Sequence, residues 1–357
     1  MTTSAVGVIG ACGAVGTEAV RHLRTLGIGQ IRLSGRDLPR VRRLIERELA
    51  GSGEAAAVDV LDPDALGRFC GECSVVLNCA GPAATIGDIV GRAALAAGAD
   101  YVDPAGDDVL SARLADALPP GRRALLSAGM MPGLTGLLPR YLGPAAGGRL
   151  VAHIGGLDRF SPAAAADFLL AGTEFGHART VWRHGHRVPA AAPHRATPPY
   201  FPEPVTALPY LSTETERLAA DLGLDEVDWF SAFAGEQVTT VLARPTSGPD
   251  GVSRLRRAAE LDLFGRRSYQ LLVFELTRAA TRTLVLGGTG ASALTGALAA
   301  LAVAAVLGCE VPPGVWHAAE ALDPATVMAA LPRLPSVTLF DLVTGSVREP
   351  EYVEETL

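Results

Sequence analysis

The chain has 357 residues, of which 48% are hydrophobic and 19% charged, with a net charge of −7 and a pI near 5.6. That is enough chain for two domains, it is too apolar to be disordered, and its acidic balance offers nothing to a nucleic-acid polyanion. All 31 basic residues are Arg and none is Lys, which excludes a Schiff-base lysine, a P-loop lysine and a Tyr-x-x-x-Lys catalytic pair.

Five cysteines (Cys12, Cys70, Cys73, Cys79 and Cys309) are too few and too scattered for a disulfide framework. The Cys70-x-x-Cys73 pair has no second pair to complete a zinc site, so no metal is expected. The N-terminus has no basic leader. Residues 283–309 carry no charge, but glycines and hydroxyl groups interrupt them. They read as a strand, a turn and a buried helix Ala291–Leu307 rather than a membrane span. A cytoplasmic protein with no membrane partner is expected.

In chain order, Val6–Gly10 reads as a strand and Val15–Leu26 as a helix, with Val15, Ala19, Leu23 and Leu26 on one face. Strand Gln30–Ser34 and helix Leu38–Ala50 follow, then strand Ala55–Val60 and helix Asp62–Phe69. Strand Ser74–Cys79, helix Thr85–Ala97 and strands Tyr101–Asp103 and Arg123–Ser127 complete the series. Such βα repetition predicts a doubly wound parallel Rossmann sheet over residues 1–135. Residues 136–290 mix the two periodicities and predict an α+β substrate or dimerisation domain with a mostly antiparallel sheet. Within it, Val238–Leu242 and Tyr269–Leu276 read as strands, His184-Gly185-His186 as a hairpin turn, and the proline-rich stretch 189–209 as a long loop. Residues 291–357 read as helices and a strand (Ser336–Val343) that pack back on the first domain.

The sharpest motif is Gly10-x-x-Gly13-x-x-Gly16, at a strand-to-helix junction. Gly10 permits a tight turn, Gly13 lets a pyrophosphate approach the backbone, and Gly16 allows close helix–strand packing. Cys12, Ala14 and Val15 then lie at the helix start, where N–H groups and the helix dipole face the phosphates. Gly287-Gly288-Thr289-Gly290 has similar spacing but no βαβ series around it, so it reads as a plain turn.

After the second strand, a binder of NAD would place an acid on the ribose. Here the strand ends Ser34-Gly35-Arg36, with Arg40 one turn on, which predicts a 2′-phosphate held by Arg36 and Ser34, hence NADPH. Asp59 is placed near the adenine. Asn78-Cys79-Ala80-Gly81-Pro82, at the end of the fourth strand, is placed near the nicotinamide ribose.

These segments, with Ala97-Gly98-Ala99-Asp100-Tyr101-Val102-Asp103 and Ala128-Gly129-Met130-Met131-Pro132-Gly133, resemble the saccharopine dehydrogenase-like reductases over residues 1–135. The resemblance implies a Rossmann domain, an inserted substrate domain, a returning C-terminal segment and NAD(P)H-dependent reduction of a C=N bond. It extends to a subgroup that reduces a thiazoline to a thiazolidine in siderophore and peptide natural-product assembly, on a carrier-bound small molecule. Departures are Ala83-Ala84 after Gly81-Pro82 and the sequence Pro104-Ala105-Gly106-Asp107 after Asp103.

For proton transfer the candidates are Asp103, at a strand end, and Glu174 with His177, three residues apart on one face if helical. Trp182, Tyr200, Phe201, Tyr210, Trp229 and Phe230 are candidates for an aromatic pocket. A saccharopine- or opine-type amino-acid dehydrogenase is the alternative. It would need Arg159, Arg179, Arg183 and Arg195 to converge on a substrate with several carboxylates. A non-catalytic NADP-binding protein is the third reading, and a homodimer is expected in each case.

Overall fold

The structure is a computed structural model that describes residues 5–174, 176–246 and 248–345. The first βα series runs β1 (Val6–Ile9), α1 (Ala14–Thr25), β2 (Ile31–Gly35), α2 (Leu38–Leu49), β3 (Glu54–Ala57), α3 (Pro63–Gly71), β4 (Val75–Asn78), α4 (Ala83–Ile86), α5 (Ile89–Ala96), β5 (Asp100–Val102), α6 (Asp108–Ala115) and β6 (Arg123–Leu126). The middle of the chain gives α7 (Leu134–Tyr141), β7 (Arg149–Leu157), α8 (Pro162–Glu174), β8 (Gly176–Ala178), β9 (Thr180–Arg183), β10 (His186–Pro189), β11 (His194–Ala196), β12 (Val205–Ser212), α9 (Thr213–Leu222), β13 (Glu226–Phe233), α10 (Glu236–Ala243), α11 (Gly248–Leu263), β14 (Tyr269–Thr277) and β15 (Thr281–Gly288). Last come α12 (Ala291–Leu307), β16 (Gly314–His317), α13 (Ala318–Ala321), α14 (Pro324–Ala330) and β17 (Val337–Thr344).

The first sheet has seven strands, all parallel, in the order β16-β6-β5-β4-β1-β2-β3. Strand alternation divides its side chains between two cores. Val6 and Val8 pack with Val20, Leu23 and Leu44 of α1 and α2. Ile9 and Val76 face the other way, toward Phe69, Val90 and Leu114 of α3, α5 and α6. This is the doubly wound α/β layout.

The second sheet runs β10-β9-β13-β7-β14-β15-β17, with β12 beside β13 and carrying β11 and β8. Only β7 and β13 pair in parallel. The core that holds Val6 and Leu23 continues through α7 and α12 to Trp229, Leu272 and Phe274 on the inner face of this sheet. The two sheets therefore share one helical layer. Gly296 of α12 makes it possible, since a Cβ there would come within 2.6 Å of the Ala19 nitrogen on α1.

Five expectations need correction. The segment Val238–Leu242 is part of helix α10, because Asp262 accepts from the Gln237 and Val238 N–H groups and starts a helix there. Its Val238, Val241 and Leu242 also fit helical spacing, packing in one cluster. The expected helix Thr85–Ala97 is broken at Gly87, whose φ of 51° ends α4 before α5 begins. The 189–209 stretch is not one loop, since His194–Ala196 pairs with Val205–Ala207. Trp229 and Phe230 are neighbours on β13 and point to opposite faces. Trp229 is buried against Phe274 while Phe230 stacks on His153, so the six aromatics form no common pocket. Finally, the C-terminal segment divides. Its α12 packs on α1 and β16 extends the first sheet beside β6, but the strand expected to return to the first domain, β17, pairs with β15 in the second sheet. By contrast, His184 and Gly185 take positive φ and turn β9 into β10, as the sequence suggests.

One buried polar group has a measurable consequence. His22 of α1 is 2% exposed under α12, and neither ring nitrogen has a hydrogen-bond partner among the described residues. Burial lowers its pKa to about 4, with the Ala293 backbone only tempering the shift. The unfolded chain thus takes up this proton near pH 6.5 and the folded one not until about pH 4. Stability is therefore retained above pH 6.5 and falls across that window, by about 3 kcal/mol for this group. Denaturant unfolding of His22→Leu at a series of pH values should show a flatter acid limb than wild type; parallel limbs would refute the assignment.

Candidate cofactor and substrate site

The site is built where β1 turns into α1. Gly10 has φ of 70°, and a Cβ on it would strike the Cys79 and Ala80 backbone at 2.7 Å. A Cβ on Gly16 would meet the Gly10 oxygen at 2.4 Å. Both glycines are required by contact, so the turn presses flat against the end of β4. Gly13 is the N-cap of α1, has no capping side chain, and no acid lies in the first turn. The neighbouring helices differ. Asp37 caps α2, Asp62 caps α3 and Asp107 caps α6. The positive end of α1 thus stays available to an anion. Burial raises the pKa of the Cys12 and Cys79 thiols, so both remain neutral beside that anion position.

The loop after β2 holds Arg36 exposed, and Arg40 donates to the Cys12 carbonyl at 2.9 Å, next to the glycine turn. Asp37 is the nearest acid, and its carboxylate accepts from the Arg40 N–H, so it does not stand free to bind a ribose hydroxyl. Ser34 corrects one expectation. It is fully buried and its hydroxyl donates to the Val8 carbonyl, which removes it as a phosphate donor. Its own carbonyl accepts from Ala11 N–H and so helps to hold the turn. Gly35 lies half-buried at the end of β2. Asp59 is exposed beyond β3, and its carboxylate accepts from Leu61 N–H in a turn toward α3.

Asp103 is 5% exposed and accepts from Asn78 Nδ2 at 3.0 Å, from the Tyr101 hydroxyl, and from Ala105 N–H at 2.8 Å. Burial raises its pKa, against the pull of these donors. Asn78 Oδ1 in turn accepts from Ala80 N–H. The network locks the Asn78–Pro82 loop to the end of β5. Glu174 and His177 share no helical face, because α8 ends at Glu174 and His177 sits in β8, paired with Leu211. The Glu174 side chain lies outside the described residues.

The second domain closes over this edge. Asp167 of α8 accepts from Ala83 N–H at 2.9 Å, and Ala163 of α8 lies against Gly81. Glu214 of α9 accepts from Gly133 N–H and the Thr135 hydroxyl, while Thr295 of α12 accepts from Met130 N–H. Glu214 is fully buried, and burial raises its pKa. Asp158, at the end of β7, accepts from Ala291 N–H at 2.7 Å. A Cβ on Gly290 would come within 2.8 Å of that carboxylate. The second glycine turn is thus shaped around an internal acid rather than a phosphate. None of Asp158, Asp167, Glu214 and Thr295 stands in a motif, and only the tertiary structure reveals them.

Comparison with known proteins fits this geometry. Residues 6–128 match the family model described as the saccharopine dehydrogenase NADP binding domain. A probable mitochondrial saccharopine dehydrogenase-like oxidoreductase of Arabidopsis thaliana is 30% identical over 119 residues, which are 30% of this chain and 26% of that protein. The chain therefore spans about a quarter of the length of this curated relative. The apo saccharopine dehydrogenase (L-Glu forming) of Saccharomyces cerevisiae superposes over 96% of this chain and 100% of its own, with a TM-score of 0.68 at 15% identity. The cofactor is NADP(H), and the whole chain is similar in fold to saccharopine dehydrogenase.

Arg36→Ala should weaken NADPH binding by about 1.5–3 kcal/mol and leave NADH nearly unchanged, the cost of one lost charged hydrogen bond. Titration of cofactor fluorescence measures both, and equal weakening would remove Arg36 from the 2′-phosphate.

Proposed function

We propose that the protein is an NADPH-dependent oxidoreductase that reduces a C=N bond of a small molecule. The observation that carries this reading is the meeting of the second domain with the carboxyl ends of the first sheet. The carboxyl ends of β4, β5 and β6 face α8, α9 and α12 across loops tied together by Asp167, Glu214 and Thr295. Ligands of open parallel sheets bind at such carboxyl ends. Bound NADPH would supply hydride to the imine carbon, becoming NADP+, and a proton from solvent would complete the nitrogen. The residues of the chain would do the rest. Gly10, Gly13 and the start of α1 hold the pyrophosphate, Arg36 and Arg40 the 2′-phosphate side, and Asn78–Pro82 the nicotinamide side. Asp103, engaged with three donors, acts as a positioning residue that fixes Asn78.

A thiazoline or a related cyclic imine in natural-product assembly, free or tethered to a carrier protein, suits a second domain whose candidate arginines do not gather at one place. Arg183 is committed to Asp228, Arg195 lies 3.9 Å from Glu236, and Arg179 is exposed beside the β9–β10 hairpin. They do not converge. One observation favours the amino-acid dehydrogenase reading. Arg159 is exposed at the end of β7, next to Asp158, and its guanidinium has no partner among the described residues. It could hold a substrate carboxylate.

Oxidation of NADPH, followed at 340 nm, separates the two. The assay sets 2-aryl-thiazolines beside mixtures of a 2-oxo acid and an amino acid. The first reading expects turnover of the thiazoline and insensitivity to Arg159→Ala. Turnover of the oxo-acid mixture alone, abolished by Arg159→Ala, would replace it with the second.

A further inference from the structure

Helix α11 lies on the outside of the second domain. Its inner residues Leu255, Ala258 and Ala259 pack under α8 and α10. Its outer face carries two large apolar side chains in water, Leu261 at 55% and Phe264 at 87% exposure. Beside them stands Arg257, which has no hydrogen-bond or ion-pair partner among the described residues. Glu260 is reached only by Arg256, at 4.0 Å. An open depression of about 540 Å³ runs between Ser253, Arg257 and Phe264. Exposed aromatic surface of this kind, beside unpaired charge, marks an interaction site.

The pattern along the helix identifies the occupant. At 100° per residue, Asp250, Ser253, Arg257, Glu260, Leu261 and Phe264 fall on one side of α11. If a second α11 is laid antiparallel, with the two-fold axis between Ala258 and Ala259, Arg257 meets Glu260 of the copy and Glu260 meets its Arg257. Phe264, just past the end of the helix, meets Ser253, the small residue that opens the depression. Each contact occurs twice, as a two-fold interface requires. The Arg257 and Glu260 charges are matched and both phenylalanines are covered. Different spacing would fail: placing the axis on Arg257 would set two guanidiniums against each other.

We infer that the outer face of α11 is a self-association surface, on which two copies of this chain pair antiparallel through Phe264 and reciprocal Arg257–Glu260 contacts. One helix of 16 residues covers less than the ~800 Å² per partner of a standard stable complex, so dissociation should fall in the micromolar range.

Sedimentation velocity of the full chain, from about 1 to about 200 µM, tests this across the range expected for so small an interface. A concentration-dependent monomer–dimer equilibrium is expected. Arg257→Glu, which places like charges together twice, should raise the dissociation constant at least ~10-fold, as should Phe264→Ser. The double change Arg257→Glu with Glu260→Arg should restore it to near wild type. These residues lie on the surface, and unchanged NADPH binding confirms that each variant is folded. A chain that stays monomeric at the highest concentration would overturn the proposal and leave the patch to a different, acidic partner. A dimer indifferent to Arg257→Glu, or one the charge swap does not restore, would overturn it as well.

Discussion

The placement of negative charge at helix starts is the constraint on which the site depends. Five helices open around it with a carboxylate on their first N–H groups. These are Asp37 on α2, Asp167 on α4, Asp107 on α6, Glu214 on α7 and Asp158 on α12. Helix α1, at the centre of the sheet, has none. A helix start carries roughly half a positive charge and unsatisfied donors. With those five neutralised from within the chain, an incoming pyrophosphate would find the start of α1 vacant. Two of the five acids, Asp107 and Asp37, come from the first βα series itself. The other three come from the second domain, so that domain also determines which helix ends remain open.

The same three acids join the domains. Asp167, Glu214 and Asp158 each reach from the second domain, or its edge, to backbone that lines the site, and Glu214 does so fully buried. A buried carboxylate held by one hydroxyl and one N–H is costly to strip of its partners. Beneath these contacts, the shared layer of α7 and α12 and the close crossing of α12 over α1 at Gly296 make a continuous core. Hinge motion between the sheets would have to open both. The two domains are thereby held in a fixed relation at the strand ends.

How far the sequence could be read follows from where each signal lives. The βα series was legible because period-2 and period-3.6 runs alternate cleanly and Gly10, Gly13 and Gly16 sit at a strand–helix junction. The short parallel strand β16 is not legible, because four residues with a half-exposed Trp316 carry no periodicity. Val238–Leu242 misled for a related reason. A five-residue run fits both periods, and the deciding cap, Asp262, lies twenty-odd residues away in sequence and adjacent only in space. Ser34 was placed correctly at the end of β2, but its rotamer turns the hydroxyl inward to Val8. Backbone position was readable there and side-chain direction was not.

Asp103 shows the same division within the site. Its place at the end of β5 follows from the alternation of the first domain, and a carboxylate at a strand end beside a cofactor invites an acid–base role. The structure surrounds that carboxylate with Asn78, Tyr101 and Ala105, each donating to it. Burial nonetheless raises the pKa of both Tyr101 and Asp103. Through Asn78, the pair holds the Asn78–Pro82 loop against the end of β5. In a site where the domains are tied by buried acids, order of this kind is cheaper to maintain before binding than to impose at binding.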